Sequence, residues 1–90
     1  MFTIKYSAKI KKDLKTCQRR KYEFSLLENI IDKLRIPEPL SVNNQDHNLK
    51  GDYIGYRECH IQPDWLLIYR YKGEFLELYR TGTHSDLFKK

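Results

Sequence analysis

Histidine is the one side chain whose unperturbed titration falls near neutral pH, and this sequence has three: His47, His60 and His84. Two carboxylates stand close to His60 in sequence. Glu58 precedes it by two residues, and Asp64 follows it by four, next to Trp65. If residues 53–61 form a strand, its period of two turns Tyr56, Glu58 and His60 to one face. Three chemistries use such a set. Metal-assisted hydrolysis takes His and Asp ligands, but no spacing here is diagnostic of a site, and no metal is expected. A nucleophilic Cys59 activated by His60 fails, because adjacent strand residues face opposite ways. General acid–base catalysis fits, since one imidazole can accept a proton while another donates one. Cleavage of RNA needs a base for the 2′-hydroxyl, an acid for the 5′-oxygen and a cation for the phosphorane charge. On residue types alone, three merely solvated imidazoles remain an alternative.

The elements that must position these groups follow from periodicity. Phe2, Ile4 and Tyr6 alternate with Thr3 and Lys5, so residues 2–6 are predicted to be a strand. Ser7 is an N-cap for a helix over 8–20, in which Ile10, Leu14 and Cys17 recur at helical spacing. A second helix, 23–35, carries Phe24, Leu27, Ile30, Ile31 and Leu34 on one side and ends before Pro37. Residues 36–52, with Pro37, Pro39 and Gly51, are expected to form a long loop holding His47. Strands follow at 53–61, 65–71 and 74–81, with turns at Gln62-Pro63-Asp64 and Lys72-Gly73. Gly82 breaks the last strand, and Thr83 caps a short turn through Phe88. The expected fold is α+β: an N-terminal strand and a helical hairpin on one face of a mainly antiparallel four-stranded sheet, with a short C-terminal helical turn. The other face is expected to stay open. His60 and Asp64 then meet at one hairpin tip.

Composition bounds the partners. Ninety residues suit a single domain, 1–90. The longest apolar run is Trp65–Tyr69, five residues against the roughly 20 of a membrane span. The start of the chain lacks the apolar stretch of a secretory signal. Two cysteines, Cys17 and Cys59, suit a reducing compartment, so a cytoplasmic protein is expected. The net charge is +5, yet residues 1–24 hold 8 basic and 2 acidic side chains, so the surplus lies at the N-terminus. A polyanion on the basic helix face and a face that is merely solvated are both open readings.

Three segments carry a resemblance. Gln45–Gly51 (QDHNLKG), Gly55–Tyr69 (GYRECHIQPDWLLIY) and Arg80–Phe88 (RTGTHSDLF) are similar to the YafQ branch of the RelE/ParE toxin superfamily. These are bacterial toxins of type II toxin–antitoxin systems that act as ribosome-dependent mRNA interferases. The resemblance spans most of the chain, and it is the loop His, the His-x-x-x-Asp-Trp hairpin and the Gly-Thr-His end in this order that are specific.

The resemblance implies a RelE-like fold and an endoribonuclease that cuts mRNA in the ribosomal A site without a cofactor. His84 is its favoured general acid. His47, His60 and Asp64 serve as base or orienting groups, and Trp65 and Phe88 contact RNA bases. Arg57 and Arg80 are candidates for the phosphate charge, and Glu58 is a rival base. Lys9, Lys11, Lys12, Lys15, Arg19 and Arg20 would grip ribosomal RNA. The partners implied are a cognate antitoxin, the ribosome and mRNA, with no membrane and no DNA bound by the toxin alone. Many RelE toxins use a Lys/Arg-rich site instead, so their mechanism does not transfer. The alternative, a ParE-like gyrase inhibitor or an inactive member, is not expected to carry this His/Asp set.

Overall fold

The computed structural model describes residues 1–88. The chain runs through strand β1 (Thr3–Tyr6), helices α1 (Ala8–Arg19) and α2 (Phe24–Arg35), and a long connection containing the two-residue strand β2 (His47–Asn48). Strands β3 (Arg57–Gln62), β4 (Trp65–Lys72) and β5 (Phe75–Gly82) and helix α3 (His84–Phe88) complete it. The sheet order is β1-β5-β4-β3-β2, with β1 parallel to β5 and every other pair antiparallel.

Local chemistry sets the element ends. The Ser7 hydroxyl accepts from the Ile10 N–H at 2.9 Å and donates to the Tyr79 carbonyl at 2.7 Å, so one cap starts α1 and ties it to β5. At α3, Thr83 Oγ1 accepts from the Asp86 N–H while Asp86 Oδ2 accepts from the Thr83 N–H, a reciprocal capping box. Gly82 precedes it with φ +154°, and a Cβ there would lie 2.9 Å from Asp86 Oδ2. Only glycine lets the strand turn this sharply into the helix.

The two faces of the sheet carry separate apolar clusters. One face packs Cys59, Trp65, Leu67, Tyr69, Leu76 and Leu78 against Ile10, Cys17, Leu27, Ile30, Ile31 and Leu34 of the helices. The opposite face was expected to be open, yet Leu66, Ile68 and Leu87 are buried there beneath Leu49, Tyr53, Tyr56, Tyr79 and Phe88. Burying a large apolar side chain is worth about 1.5–3 kcal/mol, so this second cluster fixes α3 and the 49–56 segment on the sheet.

Two further expectations are corrected. The sheet has five strands rather than four, because His47 and Asn48 pair with Glu58 and Arg57; a two-residue bridge has no periodicity to read. The strand expected from residue 53 begins at Arg57, since Gly51–Tyr53 form a 3-10 turn and Gly55 takes φ +94°.

Candidate active site

Register brings the titratable groups together. His47 pairs with Glu58, Glu58 with Ile68, and Ile68 with Arg80, while His60 pairs with Leu66 and Leu66 with Gly82. Cross-strand partners point to the same face. His47, Glu58, His60 and Arg80 therefore share one side of the sheet, and α3 delivers His84 to its end.

Glu58 is the hub. Its side chain is 6% exposed, and its Oε1 lies 3.6 Å from Nε2 of both His47 and His60. The second oxygen, Oε2, is buried with no protein partner. His47 is oriented from behind, with Nδ1 2.6 Å from the Gln45 carbonyl. A carbonyl can only accept, so Nδ1 carries a proton and Nε2 faces the carboxylate. That approach is attractive only if Nε2 of His47 or Glu58 holds a further proton, whereas a neutral His60 can present an Nε2–H to the same oxygen. The two imidazoles thus flank one carboxylate oxygen, each just beyond hydrogen-bond distance.

His84 stands opposite them, its ring centroid 5.6 Å from that of His60. Asp64 holds it through a single oxygen, Oδ1, which accepts from the His84 backbone N–H at 2.9 Å and lies 2.6 Å from Nδ1. The backbone bond first, and the ring bond second, hold the exposed Asp64 carboxyl below its usual range. An ionised carboxylate accepts a hydrogen bond from Nδ1–H, which leaves Nε2 of His84 as its working atom. Leu49, Glu58, His84 and Phe88 line one cleft of about 440 Å³. A buried carboxylate flanked by two imidazoles on one wall and an oriented imidazole on the other is an arrangement for moving two protons in one reaction.

The remaining expected site residues divide. Phe88 lines the cleft, with its ring centroid 6.5 Å from that of His84. Trp65 is corrected: it is 1% exposed and packs on Tyr22 and Phe24, with its indole N–H donating to Thr81 Oγ1 at 2.9 Å. It points to the helix side because the central strand is covered on both faces, so it cannot stack on RNA. Arg57 is also corrected. It occupies the opposite face of β3 from Glu58 and His60, where Asp46 and Asn48 bind it. Cys59 shares that face, and burial pushes its thiol far above its ordinary value.

Arg80 keeps a place beside the cleft, lining a neighbouring 630 Å³ hollow with Lys50, Tyr53 and Phe88. Its guanidinium is pinned by Asp13, through Nε at 2.7 Å and Nη2 at 3.1 Å, leaving Nη1 for another acceptor. Asp13 also accepts from the Thr81 N–H. It escaped the sequence reading, although it is the single acidic residue within 8–20, a lone anion in a basic helix.

Within the basic helix and its cap, Lys9, Lys11, Lys12, Lys15, Arg19 and Arg20 are all exposed. Their engagements differ. Lys9 lies 5.4 Å from the Tyr79 ring centroid, Arg19 bonds Thr16, and Arg20 makes a bidentate pair with Asp86 of α3. Arg20 thereby anchors the helix that carries His84.

Among the described residues, no group of three or more His, Cys, Asp or Glu is arranged to hold a metal ion. None of their helices is long and apolar enough to cross a membrane.

Residues 2–89 match the family described as bacterial toxin of type II toxin–antitoxin system, YafQ. The chain belongs to the YafQ toxin family. The mRNA interferase toxin YafQ of Escherichia coli K12 is 40% identical over 86 residues, 94% of each chain. A crystal structure of a copper-bound mutant toxin from Helicobacter pylori superposes with a TM-score of 0.94 at 40% identity, covering 98% of this chain and 100% of that one. YafQ in the E. coli DinJ–YafQ complex gives a TM-score of 0.88 at 37% identity, over 98% and 99% of the two chains. The YafQ family fold is thus shared along nearly the whole length.

Proposed function

We propose that this YafQ-family protein is an mRNA interferase, the toxin of a toxin–antitoxin pair, which cleaves mRNA in the ribosomal A site by acid–base chemistry. The observation that carries the reading is the opposition, across one cleft, of His84 to Glu58, which His47 and His60 flank. A base on the Glu58 side removes the 2′-hydroxyl proton, and the resulting oxyanion attacks the adjacent phosphorus. Nε2 of His84 gives its proton to the departing 5′-oxygen, while Asp64 holds the ring through Nδ1. Arg80 stabilises the phosphorane charge, and Phe88 abuts a base. Glu58, flanked by both imidazoles and with one oxygen lacking a protein partner, is the favoured base.

The products are a 2′,3′-cyclic phosphate, or the 3′-phosphate from its hydrolysis, and a 5′-hydroxyl. The relatives' names, mRNA interferase toxin and DinJ–YafQ complex, agree with this reading and with an antitoxin partner. The setting is the cytoplasm, where ribosomes and reduced Cys17 and Cys59 coexist.

Expression without an antitoxin, followed by mapping of mRNA ends, tests the reading. Growth arrest with mRNA cut within codons to leave 5′-hydroxyl ends is expected. Arrest with DNA damage and intact mRNA would refute it in favour of a gyrase-directed toxin.

A further inference from the structure

Beyond the cleft, a second set of side chains lies on the same face of the sheet. The rings of Tyr56 and Tyr79 stack with centroids 4.8 Å apart and planes 29° apart. The Arg70 guanidinium lies 4.7 Å from the Tyr56 centroid, and Lys9 Nζ lies 5.4 Å from that of Tyr79. Two stacked phenols thus carry a cation each. Tyr53 joins this column to the cleft, since its centroid is 6.2 Å from Tyr79 and 5.7 Å from Phe88. Aromatic contact is continuous from His84 through Phe88 and Tyr53 to the column.

We propose that the Arg70–Tyr56–Tyr79–Lys9 column is a binding track for the mRNA nucleotides that flank the cleaved bond. It rests on the ribonuclease reading and extends it to the substrate on either side of the scissile phosphate. Charge selects the occupant. A hollow of about 250 Å³ beside the column is lined by Lys5, Arg70, Tyr56, Tyr79 and a single carboxylate, Glu77. Glu77 pairs with Arg70 and lies 3.9 Å from Lys5, so with Lys9 the group keeps an excess of two positive charges. An apolar core patch needs no such cations. Single-stranded RNA, with a phosphate at every step and a π-face on every base, matches both features. Position agrees as well: Tyr56 lies four residues before His60, roughly 13 Å along an extended strand. That distance serves neighbouring nucleotides rather than the reacting one.

The test uses ribosomes programmed with an mRNA whose cleaved position is 2′-O-methylated, with 4-thiouridine placed singly at the scissile and flanking positions. After irradiation with the intact toxin, flanking nucleotides on one side should cross-link to peptides containing Tyr56 or Tyr79. Tyr79→Ala should abolish that cross-link. Arg70→Gln, which leaves the packed rings in place, should weaken it roughly two- to fivefold. Under both variants the scissile nucleotide should still cross-link near His84 and Phe88.

Flanking cross-links confined to ribosomal RNA or to residues 84–88 would overturn the proposal and leave the ribonuclease reading standing. So would an Arg70→Gln variant with undiminished mRNA cross-links but weakened antitoxin binding, which would assign the face to a protein. Loss of every cross-link, the scissile one included, would remove the ribonuclease reading and this inference together.

Discussion

Replacing His84 by Ala is expected to remove cleavage while leaving the fold nearly untouched. The ring is 51% exposed and its Asp64 partner 64%, so solvent screens their interaction. Alanine retains the backbone N–H that Asp64 accepts, and α3 keeps its capping box and the Arg20–Asp86 anchor. A surface substitution of this kind should move Tm by no more than about 4 °C. Chemistry is another matter. Departure of a 5′-alkoxide needs a proton, and a positioned general acid supplies roughly 10²–10⁴-fold, or about 2.7–5.5 kcal/mol of barrier.

The discriminating assay compares normal mRNA with one whose bridging 5′-oxygen is sulfur. A thiol has a pKa near 8.5 in cysteine, far below that of an alcohol, so the sulfur leaves with little help. His84→Ala should cut this substrate at close to the wild-type rate. Glu58→Gln, lacking the favoured base, should stay slow on both substrates. If His84→Ala gains nothing from sulfur, His84 is not the acid, and orienting the RNA or stabilising the phosphorane is left as its role.

Asp13→Asn should slow cleavage roughly tenfold or more by loosening Arg80, since a hydrogen bond between charged groups is worth about 1.5–3 kcal/mol. It should add nothing in an Arg80→Ala background, a double-mutant cycle read by single-turnover rates. Replacing Lys11, Lys12 and Lys15 together by Glu should weaken ribosome binding and flatten its dependence on salt, measured by sedimentation across a salt series; an unchanged slope would leave that face as solvated surface. Arg20, the nearest cation, holds the Asp86 carboxyl well below its ordinary range. Its folded pKa is depressed, so its contribution to stability is complete above about pH 4 and fades as pH falls below it. Melting curves of Asp86→Asn should therefore converge on the wild type in acid and separate near neutral pH.

The alternation of Tyr56, Glu58 and His60, the Ser7 cap, the apolar spacing of both helices and the Gly82–Thr83 start of α3 were all written locally. Such features depend on backbone geometry within a few residues, so composition and period suffice to find them. Glu58 and His60 were legible together for the same reason, since strand parity puts them on one face, and the hairpin turn adds Asp64; His47 and His84 joined them in sequence only through the motif resemblance. The place of Trp65 was not legible. An aromatic beside Asp64 looks the same in sequence whether it turns toward the cleft or toward the helices, and only the covering of β4 on both sides buried it. Arg57 had the right charge, and parity beside Glu58 already turned it to the other face, where the structure pairs it with Asp46. Pairing of His47 with Glu58, and of Asp13 with Arg80, joins positions 11 and 67 residues apart in sequence. No local pattern encodes such a meeting, because register is decided by how the strands and α1 settle against a shared core.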